Sequence, residues 1–197
     1  GALAIQMAID DFGGKVLGKP IERLSADHQN KADIAASKAR EWIDTQVLTM
    51  LFGGTNSGSA LAMAKIAEEK KRVFVVNGAG SSALTNDQCT PYTVHYAYDT
   101  TALAKGTGGA VVKQGGKTWF FLTADYAFGA ALEADTAKVV KENGGQVLGQ
   151  VKHPLNASDF SSFLLQAQNS KAQILGLANA GGDTINAIKA AKEFGIS

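Results

Sequence analysis

The sequence lacks several features that would point to a specialised partner or cofactor. It has one cysteine and no H-x-x-x-H pair, so a zinc site has no recognisable ligand spacing. Nineteen basic residues against 18 acidic ones give a net charge of +1, with no basic stripe to follow a phosphate backbone. No run approaches the roughly 20 apolar residues of a membrane-spanning helix. These absences argue against zinc, nucleic acid and a membrane span.

Catalytic motifs are also missing. His28, His95 and His153 are scattered along the chain, and none has a carboxylate or a nucleophile at motif spacing. We therefore expect strand-end or surface histidines rather than catalytic ones, and we predict that the protein is not an enzyme.

What the sequence has instead is a regular alternation of apolar runs and helical periodicities. Apolar residues recur every three to four positions between most strand-like runs, which predicts amphipathic helices. Strands with apolar centres joined by helices predict a parallel sheet covered on both faces, the doubly wound α/β fold class. The strand-like runs are 19–26, 47–53, 72–77, 92–98, 118–124, 146–152 and 172–178.

The patterns at both ends of the sequence predict that further chain precedes and follows it. Residue 1 is not Met, and GALAIQMAIDDFGG begins directly on a helical pattern. AKEFGIS ends a helix with glycine where another strand is expected. We therefore expect a piece of a longer protein, so the absence of a signal peptide carries no information about the compartment.

Ligands of such sheets bind beyond the carboxyl ends of the strands, where backbone amides and helix N-termini converge. The loops to consider are GGTNSGSA, GAGSSALT, ADYAFG and NAGGDT, each following a predicted strand.

The GAGSSALT loop resembles a dinucleotide fingerprint. Gly78, Gly80 and Ala83 fit G-x-G-x-x-A, and Asp99 lies about 20 residues further on. The fingerprint requires a following helix of about a dozen residues, however. Pro91 comes soon after, with no apolar periodicity before it. We therefore expect no NAD or other cofactor here, and an NAD-dependent oxidoreductase is the least favoured function.

The same loops offer donors for a small anion. Ser81 and Ser82 carry hydroxyls beside the amides of residues 79–81, while Ser57 and Ser59 begin the next predicted helix. Several converging donors and a helix dipole suit a small carboxylate. Two structural alternatives stay open: Ser57 or Ser59 caps the helix, and Ser81 and Ser82 form a turn.

The ordered motifs from Gly53 to Gly195 resemble the type I periplasmic solute-binding proteins of ABC transporters, in the leucine/isoleucine/valine-binding branch. The motifs are the GG-x-x-S loop, GAGSSALT, YTVHYAYD, FFLTADYAFG, DFSSFLLQAQNSKAQILGLANAGGD and AIKAAKEFG. The resemblance implies two α/β lobes around a ligand, with a first crossing near Asp99 and Thr100. Residues 1–99 would form the first lobe and residues 100–197 the second, both incomplete. It also implies export to the periplasm and an ABC permease as partner.

The resemblance assigns the carboxylate end of the ligand to the first lobe. Ser57 matches the serine that holds the ligand carboxylate. Ala79 and Gly80 match backbone contacts, and Ser81 matches a hydroxyl that also reaches the carboxylate.

The second lobe departs from the family pattern. Phe128 stands where amino-acid binders more often have tyrosine, and Ala180 lies near a second aromatic position, which implies a more apolar and roomier wall. Core packing with Leu132 is an equal alternative for Phe128. Tyr126 would bond across the hinge or cap a turn, and Asn179 would point into the cleft or occupy a turn.

The ligand class stays open between a branched or aliphatic amino acid and an aromatic acid. By the resemblance, the acid that pairs with an ammonium group lies beyond Ser197. A partner for Cys89 would lie there too, unless it is a free thiol. An effector-sensing domain of a receptor or transcriptional regulator is the alternative function, because it would share the fold.

Overall fold

Two three-stranded parallel sheets organise the chain. The structure, a computed structural model, describes residues 1–196. The strands are β1 (Lys15–Val16), β2 (Lys19–Pro20), β3 (Met50–Gly53), β4 (Val73–Val76), β5 (Thr93–His95), β6 (Thr118–Ala124), β7 (Gln146–His153) and β8 (Ile174–Ala178). The first sheet has the order β3-β4-β5 and the second β7-β6-β8, while β1 and β2 form a small antiparallel pair.

Helices separate most of these strands, as the alternation predicts. They are α1 (Ala2–Asp11), α2 (Ala32–Thr45), α3 (Ser57–Lys70), α4 (Thr100–Leu103), α5 (Gly109–Lys113), α6 (Ala127–Glu142), α7 (Ser161–Ser170) and α8 (Gly182–Glu193). A π-helical segment, Ala104–Gly108, joins α4 to α5, and a 3-10 turn covers Ser82–Leu84. The predicted α/β fold with parallel sheets is confirmed. Within residues 1–196, every helix is too short or too polar to cross a bilayer.

The strand β6 shows why the second sheet is parallel and covered. Its side chains alternate between two faces. Trp119 and Phe121 pack into one core cluster, and Leu122 packs into another with Phe160 and Leu164 of the region around α7. Burial on both faces is what a continuous apolar strand such as TWFFLTA requires.

The first sheet is held by small residues. Phe74 and Val76 of β4 are fully buried, and they share one core cluster with alanines of α2 and α3. Alanines allow close packing because they project little beyond the backbone. We call β3-β4-β5 with its helices the first lobe, and β7-β6-β8 with its helices the second lobe. The boundary at residue 99 stays a prediction, and the strand positions are consistent with it.

The strand predicted at 19–26 is wrong beyond its first residues. The strand β2 covers only Lys19–Pro20, and the following residues to 28 form neither helix nor strand. Within residues 1–196 the nearest sheet ends at β3, and no further strand pairs with this segment. The opening helix is confirmed as α1, but Leu3, Met7 and Phe12 on its apolar face are exposed.

Candidate functional site

Ser57 and Ser81 meet at the carboxyl ends of β3 and β4. The backbone N–H of Ser81 donates to Ser57 Oγ over 3.3 Å, and both residues are 1 % exposed. The parallel pairing of β3 with β4 brings the two loops to the same rim. Two residues that are distant in the sequence therefore lie in direct contact at the edge where ligands of such sheets bind.

The cap of helix α3 is Asn56. Its side chain accepts from the Ser59 N–H at 3.0 Å, so capping by Ser57 or Ser59 is wrong. Ser57 occupies the first helical position, where the amides have no intrahelical acceptor. Its hydroxyl accepts the Ser81 bond, which leaves the hydroxyl hydrogen able to donate to a ligand.

Ser81 also has a structural role in its own loop. Its Oγ accepts from the Ala83 N–H at 3.4 Å and caps the 3-10 turn, so the turn interpretation holds for this residue. The turn has three residues, Ser82–Leu84, which is too short for the crossover helix of a dinucleotide fingerprint. As with Ser57, the hydroxyl hydrogen is left to donate.

Some backbone groups of the GAGSSALT loop are hydrogen-bonded within the protein, whereas another is left to bind a ligand. The Ala79 N–H donates to Gly54 O at 2.8 Å, and Ala79 O lies 2.7 Å from His95 Nε2. Both backbone groups of Ala79 therefore already have a partner in the first lobe, and its backbone contact with a ligand stays a prediction. Among residues 1–196 the Gly80 N–H has no such partner, and Gly80 O accepts from the Thr100 N–H at 2.8 Å.

Aromatic rings from both sides close over Gly80. A Cβ built on Gly80 would lie 2.7 Å from a ring carbon of Tyr98 and 3.0 Å from one of Phe128. Phe128 is 6 % exposed and lies outside the core cluster that contains Leu132, so the contact with Gly80 explains its burial better than core packing does. Sequence reasoning missed Tyr98 as a site residue, although it lies in the YTVHYAYD motif that contributes to the family resemblance.

Tyr126 lies next to this cluster. Its ring centroid is 5.9 Å from that of Phe128, and its side chain does not cap α6. Burial, with smaller contributions from Tyr98 and Asp183, raises the pKa of Tyr126 to about 12. The phenol therefore stays neutral and able to donate a hydrogen bond throughout the physiological range.

Asn179 is committed within the second lobe. Its Nδ2 lies 3.1 Å from His153 Nε2, and its Oδ1 accepts from Thr184 Oγ1 at 2.7 Å. His153 is fully buried, so these bonds fix the loop that follows β8. Both ends of the amide are used inside the lobe, which argues against the predicted ligand contact of Asn179.

A cavity of about 250 Å³ lies between the two lobes. It is contacted by Thr55 and Asn56 of the first lobe and by Tyr126, Ala180 and Asp183 of the second. Ala180 is exposed on its wall, as a ligand contact would be. The other lining residues are Asn30, Leu155, Asn156, Gly181 and Gly182.

Ser57 and Ser81 do not line this cavity, although Ser57 directly follows Asn56. Asp183 is the carboxylate on its wall, and sequence reasoning missed it. Its Oδ2 accepts from the Asn156 N–H at 3.1 Å, and the residue is 6 % exposed. Within residues 1–196, no three His, Cys, Asp or Glu side chains are grouped to hold a metal ion.

The comparison with known families decides the identity of the fold. A sequence model described as periplasmic binding protein matches residues 1–197. The chain belongs to the periplasmic binding protein family. Curated relatives of this binding protein include a Leu/Ile/Val-binding protein homolog 6 of Brucella melitensis, 25% identical over 189 residues, covering 94% of this chain and 48% of the relative.

Solved structures of other periplasmic binding proteins agree. One from Burkholderia mallei is 77% identical with a TM-score of 0.97, covering 99% of this chain and 52% of that one. A branched chain amino acid ABC transporter periplasmic ligand-binding protein from Burkholderia xenovorans is 38% identical with a TM-score of 0.75, covering 98% and 52%.

A third structure holds a ligand. This ABC transporter solute binding protein from Rhodopseudomonas palustris, in complex with 3,4-dihydroxy benzoic acid, is 28% identical with a TM-score of 0.86, covering 98% of this chain and 53% of that one. The chain thus spans about half the length of each relative. The resemblance inferred from the sequence motifs is confirmed.

Proposed function

We propose that the full-length protein is an extracytoplasmic solute-binding protein of an ABC importer. It captures a small carboxylate between its two lobes and delivers it to a permease, without chemical turnover. Capture follows from closure of the lobes, so affinity depends on both of them.

The observation that carries this proposal is the convergence of donors at one rim. Around the contact between Ser57 and Ser81 lie their two hydroxyls, the first amides of α3 and the Gly80 amide, which has no hydrogen-bond partner among residues 1–196. A hydrogen bond to a charged group contributes about 1.5–3 kcal/mol, and a helix N-terminus about 0.3–2 kcal/mol. Desolvating the anion costs several kcal/mol. One donor is therefore insufficient, and the proposal requires several donors to act together.

The ligand is either a branched or aliphatic amino acid or an aromatic acid. The Burkholderia xenovorans relative is a periplasmic ligand-binding protein of a branched chain amino acid ABC transporter, and the Rhodopseudomonas palustris relative is in complex with 3,4-dihydroxy benzoic acid. Both ligand types carry a carboxylate beside an apolar group. Phe128 and Ala180 supply the apolar side of the cleft, with Phe128 packed over Gly80.

Calorimetric titration of the full-length protein tests this function. We expect reversible binding of leucine, isoleucine and valine, or of benzoate and its hydroxylated derivatives, with no change in the ligand after recovery. Absence of binding by any carboxylate of either class would refute the proposal. Titration with NAD, followed by its fluorescence, tests the oxidoreductase alternative.

Transport and sensing need a separate experiment, because a sensory domain with this fold would bind the same ligand. Cell fractionation should place the protein in the periplasm, and deletion of its gene should abolish uptake of the ligand found by calorimetry. Unchanged uptake with altered gene expression would instead support an effector-sensing role.

A further inference from the structure

Thr100 connects the candidate ligand loop to the crossing between the lobes. It is the first residue of α4 and is fully buried. Its backbone N–H donates to Gly80 O at 2.8 Å, and its Oγ1 accepts from the Ser82 N–H at 3.0 Å. These two bonds fix the residues on either side of Ser81.

The same hydroxyl also reaches helix α6. Thr100 Oγ1 donates to Asp135 Oδ2 at 2.6 Å, and Thr101 Oγ1 donates to the same oxygen at 3.2 Å. A hydroxyl has one hydrogen and two lone pairs, so Thr100 can make the Ser82 and Asp135 bonds together. Its distance to Asp135 is that of a strong hydroxyl–carboxylate bond.

Asp135 belongs to α6, the helix that also places Phe128 against Gly80. The loop and this helix are therefore joined at two places, by the aromatic contact and by the Thr100 bonds. The Thr100 end of this link is fully buried and Asp135 is partly buried, which reduces the competition from water.

We propose that Thr100 is a positioning residue which, through Asp135, couples the ligand loop 79–82 to the orientation of helix α6. This inference rests on the proposed function, because it concerns how carboxylate capture and lobe closure depend on each other. The bonds hold Gly80 and Ser81 in the geometry in which their donors converge with Ser57.

The second lobe contains a matched control for this link. Thr123 is also fully buried, and its Oγ1 donates to Glu133 Oε2 at 2.6 Å. Glu133 lies on α6 as Asp135 does, but Thr123 Oγ1 makes no bond to loop 79–82 within residues 1–196. Thr123→Val therefore removes the same kind of bond without touching the link between the loop and α6.

The first experiment needs no ligand. Amide hydrogen exchange of the full-length protein should become faster in peptides covering residues 79–84 for Thr100→Val and for Asp135→Ala. Thr123→Val should leave that segment unchanged, and Thr100→Ser, which keeps the hydroxyl, should restore it. Asp135→Ala is the decisive variant, because Asp135 bonds Thr100 and Thr101 rather than the loop itself. Exchange of the loop equal to wild type in Asp135→Ala would overturn the proposal.

The second experiment measures carboxylate affinity by calorimetry. Thr100→Val and Asp135→Ala should each weaken binding about tenfold, the effect expected if the loop holds its binding geometry only about a tenth of the time. Thr100→Ser and Thr123→Val should bind as wild type. If Thr100→Val does not fold, Asp135→Asn replaces it, with a smaller loss in the same direction. Undiminished affinity in folded variants contradicts the proposal. If wild type binds no carboxylate, the proposed function fails, and the exchange experiment still decides the coupling.

Discussion

The loops that follow β3 and β4 in the first lobe use their polar groups differently from the loop that follows β8 in the second lobe. In the first, the Ser57 and Ser81 hydroxyls accept backbone bonds and keep their hydrogens, and the Gly80 amide is free among residues 1–196. In the second, both ends of Asn179 are bonded inside the lobe. The loops of the first lobe thus keep hydrogens that can be donated to an anion, whereas the bonds of Asn179 stabilise the loop after β8.

This difference indicates a division of labour. Under the proposed function, the first lobe supplies donors for the charged end of a ligand. In the second lobe, Tyr126 and Ala180 line the cavity between the lobes, and Phe128 packs over Gly80. Variants in either lobe test this division.

The largest effect is expected for Gly80→Val. A Cβ here lies within 3.0 Å of both Tyr98 and Phe128, so the rings must move and the lobes cannot close over the loop. We expect calorimetry to show affinity lost by about a hundredfold, within the cost of overpacking. Gly106→Ala is the control, because its Cβ would meet open space. Wild-type affinity in a folded Gly80→Val protein would contradict the proposed closure.

Ser57→Ala should weaken carboxylate binding by about 1.5–3 kcal/mol, since it removes one donor to a charged group. Ser59→Ala is a matched control two residues along the same helix, where the hydroxyl is buried but lies near His28 instead of Ser81. Titration of both variants with the same ligand compares them directly. Equal losses would mean that burial, not donation, explains the effect.

Asn179→Ala should reduce stability rather than affinity. It leaves His153 and Thr184 without their buried partner, a loss of about 1–3 kcal/mol in the free energy of unfolding. Urea unfolding measures this change, and calorimetry of the folded variant should show nearly unchanged affinity. A large affinity loss at unchanged stability would assign Asn179 to the ligand and break the comparison.

The smallest effect concerns pH. The pKa of Tyr126 is raised from 10.0 to about 12, so the neutral phenol is favoured in the fold. Its contribution to stability is complete below pH 10 and is lost as the pH rises towards 12. Tyr126→Phe should remove a late phenolate step from the ultraviolet titration, whereas Tyr96→Phe, at a side chain 77 % exposed, should leave that step in place. If Tyr126→Phe instead removed an early phenolate step, this would contradict the buried position of Tyr126.

The sequence predicted the fold where local pattern and tertiary environment agree. The run 118–124 coincides with β6 because its residues are buried on both faces. The run 19–26 failed because a strand also needs a partner, and the first sheet ends at β3. Local composition cannot show which edges are paired.

The candidate site was predicted only in part, because local sequence does not show which distant residues come into contact. Ser57 and Ser81 could be found because both follow apolar strands, where loops carry ligand donors. In TNSGS, residues 55–59, several neighbours can cap a helix, so the pattern did not single out Asn56. Tyr98, Thr100 and Asp183 were missed as site residues because their partners are distant in the sequence and come close only through tertiary packing.

The most direct test compares one carboxylate ligand with its primary amide in calorimetric titrations of the full-length protein. The two molecules share their apolar part and differ at the group that the first lobe is proposed to bind. We expect the carboxylate to bind and the amide to bind at least about tenfold more weakly, since charge-assisted bonds are lost. Equal affinity for both would show that the donors around Ser57 and Ser81 do not recognise an anion.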